Sequence, residues 1–119
     1  MSKGLKLFIL VLIFIGGVSA VVILFHDKNT PSQKDLVIET HKAVAQAKIL
    51  FRVRLAGGVD MENGPCLSDD FMPDWVVDVV HTPRNEVDNL PDNQCPSFRS
   101  GKTTHFVELD TSGNLVRAR

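Results

Sequence analysis

The sequence lacks an excess of charge of either sign, with 13 Lys and Arg residues against 14 Asp and Glu residues and a formal net charge of −1. A protein that binds nucleic acid through charge alone needs a basic excess, so this class is excluded and no nucleic-acid partner is expected. Of the six arginines, four are singled out as scattered along the chain and do not indicate a nucleic-acid surface: Arg52, Arg54, Arg84 and Arg99.

The sequence also lacks the motifs that identify common catalytic and cofactor sites. It contains no G-x-S-x-G, no H-E-x-x-H and no G-x-G-x-x-G. Gly101-Lys102-Thr103 ends like a P-loop, but Pro96 stands where the motif needs its first glycine. No motif indicates an enzyme, and no cofactor is expected.

Cysteine is scarce, with only Cys66 and Cys95 in the chain. In an exported chain, two cysteines predict one disulfide, which at this separation is worth about 3.5 kcal/mol. Two reduced thiols acting as metal ligands or as a redox pair stay open as alternatives, although the spacing is not the C-x-x-C of thioredoxin-type couples. After the first 26 residues the aromatic side chains are few, so a disulfide would support a small core: Phe51, Phe71, Trp75, Phe98 and Phe106.

One long apolar run is present, the uncharged segment from Leu7 to Phe25. Its length in a helix is close to the thickness of a bilayer's hydrocarbon core, which predicts a transmembrane helix over about residues 7–25. Lys3 and Lys6 precede the run, so the positive-inside rule predicts a cytoplasmic N-terminus and an extracytoplasmic C-terminal domain. A signal peptide cleaved after Ala20 is the alternative.

The chain then divides into a membrane anchor (residues 1–26), a linker (residues 27–31) and a small extracytoplasmic domain (residues 32–119). The domain opens with an amphipathic helix over residues 32–51, with Thr30 as N-cap and Pro31 in the first turn. Apolar residues recur on one face of this helix at spacings of three and four. Residues 48–56 also alternate as a strand would, so the end of the helix stays open.

Three short strands are predicted after the helix, over residues 74–81, 103–110 and 114–117, the last two joined by a hairpin with Gly113 at a positive φ. Residues 84–102 are rich in Pro, Asn and Asp, show no periodicity, and are predicted to form a long loop. The predicted fold class is α+β, with an N-terminal transmembrane helix, then an amphipathic helix packed on a small antiparallel sheet of about three strands.

His81 and His105 are the candidate metal ligands. If their two strands pair antiparallel with Val79 opposite Val107, the two imidazoles meet at the rim of the sheet and could bind a transition metal or act as a general base. The alternative is two rim histidines with ordinary hydrogen bonds. In the same register Asp78 and Glu108 project to the opposite face, which is expected to be solvated, with a carboxylate pair for acid–base chemistry as the alternative.

Calcium is another candidate ligand, because many Asp and Asn side chains lie in the predicted loops. However, no D-x-[DN]-x-[DN]-G pattern occurs, and Asp and Asn are also standard turn residues.

Two resemblances extend these expectations. The stretch from Gly64 to Leu115, with GPCLSDDFMPDWVVDVVHTPRNEVDNLPDNQC and then THFVELDTSGN, resembles small single-span microbial membrane proteins of unknown function and implies no activity. The order of apolar helix, amphipathic helix, sheet and cysteine-bearing C-terminal part resembles type IV pilins and pseudopilins, which implies a filament or secretion-system subunit. The sequence departs from pilins because no Glu follows the start of the apolar run, no prepilin cleavage signature precedes it, and residues 27–31 interrupt the helix.

These observations predict a single-pass cell-membrane protein with an exported binding or scaffolding domain. Its expected partners are the lipid bilayer and an envelope protein. The alternatives are a metal protein or hydrolase-type enzyme that uses His81 and His105, and a pilin-like subunit.

Overall fold

The computed structural model describes residues 2–24 and 31–119 of the chain. The chain divides into two units, Met1–Ser32 and Gln33–Arg119. The first unit contains helix α1 (Lys3–Leu24), and the second contains every other helix and strand of the described residues. The predicted N-cap of the second helix, Thr30, lies outside the described residues.

The predicted transmembrane helix is wrong. Among the described residues, no helix combines the length and the apolar character that crossing a membrane requires. Phe25, which the prediction counted in the span, lies outside the described residues.

Helix α2 (Gln33–Ala56) opens the second unit and runs through residues 48–56, which settles their conformation as helical. Ala43 and Ala47 are buried, as the apolar spacing predicted, and Phe51 is the third buried residue of the helix. Leu36, predicted on the same face, is 39% exposed because the sheet contacts the later turns of α2. The helix ends before Gly57, whose N–H donates to the carbonyl of Val53 at 3.0 Å.

The sheet contains four strands in the order β1-β2-β3-β4: β1 (Cys66–Met72), β2 (Trp75–Val79), β3 (His105–Leu109) and β4 (Leu115–Ala118). The first and last pairs are antiparallel, but β2 and β3 are parallel. The prediction of an antiparallel sheet of about three strands is therefore wrong in its pairing and its strand number. Strand β1 was missed because its centre, Ser68-Asp69-Asp70, is polar and its pairing with β2 is irregular.

The parallel pairing requires a crossover between β2 and β3, and residues 80–104 supply it. The prediction of one long loop over residues 84–102 is corrected by a 3₁₀ turn (Val87–Asn89) and the short helix α3 (Pro96–Arg99). Pro and Asn residues interrupt any periodicity in this segment, so its role as a crossover could not be recognised from the pattern.

Alternate residues of the central strands β2 and β3 lie on opposite faces of the sheet, and a different part of the chain packs against each face. Trp75, Val77 and Val79 lie with Ala43, Ala47 and Phe51 in the main core, against α2. Residues from the other face form a second, smaller cluster with the crossover: Val76, Phe106, Cys66 and Cys95. The prediction that this second face is solvated is wrong, since Val76 and Phe106 are buried.

The predicted disulfide between Cys66 and Cys95 is confirmed, with an S–S distance of 2.01 Å. Cys66 begins β1, and Cys95 precedes α3. The bond therefore ties the crossover to the edge of the sheet and belongs to the smaller cluster.

Glycine is required at position 113 both by the backbone conformation there and by the neighbouring Phe51 ring. The φ of 85° at Gly113 confirms the predicted hairpin, and a Cβ at this position would lie 2.8 Å from the Phe51 ring. We expect Gly113→Ala to lower the free energy of unfolding by about 1–2 kcal/mol for the left-handed backbone plus about 1–3 kcal/mol for overpacking, measured by urea unfolding.

Gly101→Ala is the matched control. Gly101 has a φ of 75°, but a Cβ there would meet nothing within 4 Å. We expect this variant to show the backbone cost alone. Equal losses in the two variants would contradict the contact with Phe51.

Candidate functional site

A cleft of about 340 Å³ lies on the crossover side of the sheet. Strands β2, β3 and β4 contribute its sheet wall, and the segment from residue 84 to α3 contributes the opposite wall. Ten residues line it: Val76, Asp78, Arg84, Gln94, Cys95, Phe98, Arg99, Phe106, Glu108 and Arg117. The crossover therefore covers the second face of the sheet but leaves this cleft between itself and the strands.

Two carboxyl groups lie side by side on the sheet wall. Asp78 of β2 and Glu108 of β3 are partners in the parallel register, so their side chains leave the same face of the sheet. Glu108 is only 7% exposed. These two carboxyl groups were expected from the sequence to lie on the same face of the sheet, but that face was expected to be solvated.

Two arginines hold the Glu108 carboxylate. Arg84 donates from Nη1 to Oε1 at 2.9 Å, and Arg117 donates from Nε to Oε2 at 3.1 Å and from Nη2 to Oε1 at 3.2 Å. The contact with Arg117 is the two-point geometry that guanidinium and carboxylate groups favour. These contacts compensate the buried charge of Glu108.

Asp78 has no comparable partner. Its Oδ1 is buried and has no hydrogen-bond partner among the described residues. Burial, followed by the charge of Glu108, raises the pKa of Asp78 from its ordinary value of 3.8 to about 8, while Arg84 opposes the shift. The cleft thus contains a carboxylic acid that is predominantly protonated at pH 7 and can donate a hydrogen bond.

The three arginines of the cleft are fixed to different degrees. The guanidinium of Arg84 also donates to Asn89 Oδ1 at 3.2 Å and to the Asp88 carbonyl at 3.3 Å. Arg117 lies over the Phe106 ring, 4.8 Å from its centre. Within the described part of the chain, the guanidinium of Arg99 makes one hydrogen bond, from Nη1 to the Pro91 carbonyl at 3.1 Å.

Aromatic rings form the apolar part of the cleft. Phe98 of α3 and Phe106 of β3 meet edge to face with ring centres 5.1 Å apart, an arrangement that aromatic pairs prefer. Val76 and Cys95 adjoin them. The disulfide therefore helps to hold Phe98 and Arg99 over the sheet.

The register assumed for the histidine pair is wrong. Because β2 and β3 are parallel, His105 lies beside Trp75, at the start of both strands. His81 instead follows the end of β2. The metal role of the two histidines stays a prediction, and the strand pairing that was to bring them together is absent from the described sheet.

Each histidine has its own carboxylate partner. His81 Nδ1 lies 2.8 Å from Oδ1 of Asp88, a residue that is 2% exposed. The Asp88 carboxylate also accepts from the backbone N–H of His81, at Oδ1, and from that of Asn85, at Oδ2. His105 Nδ1 lies 2.8 Å from Asp74 Oδ2, and its ring stacks on Trp75 at 4.8 Å. Asp74 also accepts hydrogen bonds from the backbone N–H and the hydroxyl of Thr104.

A different set of side chains brings three potential metal ligands together. Within residues 2–24 and 31–119, the group with close ligand atoms is Cys66, Asp69 and Cys95, all within 4.8 Å of one another. Both sulfur atoms belong to the disulfide, and Asp69 accepts hydrogen bonds from the backbone N–H and the hydroxyl of Ser97. In the oxidised protein these groups serve the attachment of the crossover.

The contact between His81 and Asp88 predicts a pH effect. The hydrogen bond with Asp88 raises the pKa of His81 above its ordinary value of 6.5, and burial opposes it. A raised histidine pKa adds stability below the unfolded-state pKa, and this stability is lost as the pH rises through the folded-state pKa. We expect an NMR titration of the His81 ring to have its midpoint above 6.5, and Asp88→Asn to lower that midpoint. An unchanged midpoint in the variant would contradict the contact.

The arginines of the site were missed from the sequence, because Arg84 and Arg99 were treated only as scattered residues that do not indicate a nucleic-acid surface, and Arg117 was not considered. One local signal was available: Glu108 and Arg117 stand on either side of the predicted hairpin, where opposite charges pair across strands. Their register partnership confirms that pairing. Arg84 and Arg99 reach the cleft only through the path of the crossover.

No protein-family model matches the chain, and no curated protein or solved structure is detectably similar to it. The function is therefore argued from the geometry of the cleft.

Proposed function

We propose that the unit Gln33–Arg119 is an exported ligand-binding domain, and that its cleft takes a small organic anion. Export is supported by the disulfide between Cys66 and Cys95, because such bonds persist in oxidising compartments and are rare in the cytosol. An envelope protein as a further partner stays a prediction from the sequence.

The observation that carries the proposal is the half-buried Asp78 carboxyl group in the wall of the cleft, whose Oδ1 is enclosed and has no hydrogen-bond partner among residues 2–24 and 31–119. Burying a polar group without a partner costs stability. Strongly perturbed carboxyl groups in clefts are characteristic of functional sites. Because the carboxyl group can turn about χ2, a ligand in the cleft that accepts a hydrogen bond from Asp78 would supply the partner that the fold omits.

The charge of the lining favours an anion. Arg84, Arg99 and Arg117 supply three positive charges, and Glu108 supplies one negative charge when Asp78 is protonated. The cleft therefore has a positive excess, although residues 31–119 carry more acidic than basic side chains. Guanidinium groups bind carboxylates and phosphates, often through two parallel hydrogen bonds.

The dimensions of the cleft favour a small organic molecule. Its volume of about 340 Å³ lies near the lower end of small-molecule pockets, which typically occupy about 300–1,000 Å³. Phe98, Phe106 and Val76 provide apolar surface beside the charged groups. Such a lining, mostly apolar with a few convergent polar groups, is typical of ligand sites.

NMR mapping on the full chain tests this proposal. Small carboxylates, small phosphates and small amines would be titrated separately into the ¹⁵N-labelled protein. We expect anions to produce saturable shifts at Val76, Phe98 and Phe106, and amines to produce none. Shifts confined to the groove between α2 and β1, around Gln46 and Val53, or no shifts at all, would overturn the proposal.

Arg99→Gln and Arg54→Gln form a matched pair for the same titration. Each removes one exposed arginine charge, but Arg99 lines the cleft whereas Arg54 lies in the last turn of α2. Binding should weaken in Arg99→Gln alone. Equal weakening in both variants would indicate attraction by net charge and not a site.

A further inference from the structure

We infer that the ligand is an aromatic monocarboxylate with a hydrogen-bond acceptor opposite its carboxylate, bound between Arg99 and Asp78. This inference rests on the proposed function, since it names the class of anion that the same cleft takes. Two observations support it. Some hydrogen-bond donors of the cleft already have protein acceptors and others do not, and the donors without acceptors lie on opposite walls of the cleft.

The remaining donors lie mainly on Arg99. Arg84 directs Nε, Nη1 and Nη2 to protein acceptors, and Arg117 uses Nε and Nη2 on Glu108. Arg99 uses only Nη1, so its Nε and Nη2 have no partner among residues 2–24 and 31–119. These two atoms form one edge of the guanidinium plane, which matches the two oxygens of a planar carboxylate.

The second polar group of the site is the Asp78 carboxyl on the opposite wall. Asp78 belongs to β2 in the sheet, whereas Arg99 ends α3 in the crossover. A neutral carboxyl donates one hydrogen bond. Asp78 lines the cleft, but its Oδ1, which has no partner in the described part of the chain, is enclosed by protein, so donation to a ligand requires the carboxyl group to turn about χ2 towards the cleft. The matching ligand therefore carries a carbonyl or ether oxygen at the end away from its carboxylate.

The space near these groups is bordered by aromatic rings. Phe98 precedes Arg99 in α3, is 37% exposed, and lines the same cleft. Its edge-to-face contact with Phe106 continues the apolar wall onto the sheet. Aromatic rings stack favourably on such surfaces, which favours a flat ring over a sugar or an amino acid.

The donor role of Asp78 makes the ligand preference dependent on pH. The charged groups that act on Asp78 are Glu108 of β3 and Arg84 and Asp88 of the crossover. Above about pH 8 the Asp78 carboxyl loses its proton and faces the ligand as an acceptor with a negative charge. The preference for a ligand with an acceptor should then disappear, whereas an Asn at this position keeps its N–H donors at every pH.

Three synthetic probes of similar shape separate these contributions in calorimetric titrations of the full chain. 4-Acetylbenzoate has both the carboxylate and the acceptor, 4-isopropylbenzoate lacks the acceptor, and 4-acetylbenzamide lacks the charge. At pH 6.5 we expect 4-acetylbenzoate to bind about tenfold more tightly than either of the others, the usual effect of one hydrogen bond or ion pair. Arg99→Gln should remove the advantage over the benzamide, and Arg54→Gln should leave it unchanged.

The pH dependence supplies the second readout. In the wild type, the advantage of 4-acetylbenzoate over 4-isopropylbenzoate should vanish at pH 9.5, and in Asp78→Asn it should persist at both pH values. The inference would be overturned if the three probes bound with equal affinity at pH 6.5. It would also be overturned if the wild type preferred 4-acetylbenzoate over 4-isopropylbenzoate equally at both pH values. If inorganic phosphate or an aliphatic acid binds in the cleft and the benzoates do not, the inference fails while the proposed function stands. If no anion binds, both fail.

Discussion

Replacing Asp78 by Asn should raise the free energy of unfolding at pH 8 by up to about 5 kcal/mol and leave it nearly unchanged at pH 4. Below its ordinary pKa of 3.8 the group is protonated in both the folded and the unfolded chain. Between that value and about 8 the unfolded chain is ionised while the folded chain retains the proton. Stability attributable to Asp78 therefore falls as the pH rises across this range, and Asn removes the effect.

The measurement is urea unfolding of the wild type and Asp78→Asn at intervals between pH 4 and pH 9. Trp75 is the single tryptophan of the chain and is 1% exposed, so its fluorescence reports on the fold around the sheet. A constant difference between the two proteins at all pH values would contradict the proton on Asp78.

Asp110→Asn is the control, because we expect it to change the free energy of unfolding at pH 8 in the opposite direction. Burial alone would raise the pKa of Asp110, but hydrogen bonds from Asn114, Ser112 and Gly113 lower it below 3.8. A lowered carboxyl pKa adds stability above the unfolded-state value, which is lost as the pH falls through the folded-state value. This variant should therefore be destabilised at pH 8, where Asp78→Asn is stabilised.

Removing the disulfide should be the most damaging change to the cleft. The bond closes a separation of 29 residues, for which the loss of chain entropy in the unfolded state predicts about 3.5 kcal/mol of stability. Cys95 is buried and lines the cleft. We expect the Cys66→Ser/Cys95→Ser variant to lose this stability and to bind the anions of the cleft much more weakly.

Amide hydrogen exchange identifies the part of the chain that is destabilised when the disulfide is removed. Residues 80–104 should exchange much faster in the double variant, and the hydrogen bonds of α2 should stay protected relative to them, because α2 packs on the other face of the sheet. A reductant should reproduce the effect in the wild type and change nothing in the variant. Unchanged exchange in the crossover would contradict its attachment by the disulfide.

Elements with a local signature could be predicted from the sequence. Helix α2 has apolar residues at helical spacing, and the β-rich segments around Val77 and Val107 are strands because β-branched residues suit a buried sheet. Gly113 marked the hairpin correctly, since a positive φ there favours glycine. In each case the deciding interaction lies within a few residues along the chain.

Features that depend on distant parts of the chain could not be predicted. Whether β2 pairs parallel or antiparallel with β3 depends on the path of 25 intervening residues without periodicity. That error placed His81 opposite His105 and left Asp78 and Glu108 in solvent. The pair of carboxyl groups was visible in the sequence, but its burial, its arginines and its cleft all follow from the crossover.

The prediction for the N-terminal segment was also wrong. The absence of charge from Leu7 to Phe25 was counted as a membrane span. The described residues contain helix α1 (Lys3–Leu24), but no helix among them could cross a membrane.

A carboxyl ¹³C NMR titration of Asp78 in the full chain tests the central claim most directly, with Asp78→Asn identifying the resonance. The account predicts a midpoint at about pH 8, so that the cleft presents a protonated carboxyl at neutral pH. A midpoint near the ordinary value of 3.8 would contradict it, because Asp78 would then be an ionised group beside Glu108 and could not donate a hydrogen bond to a ligand.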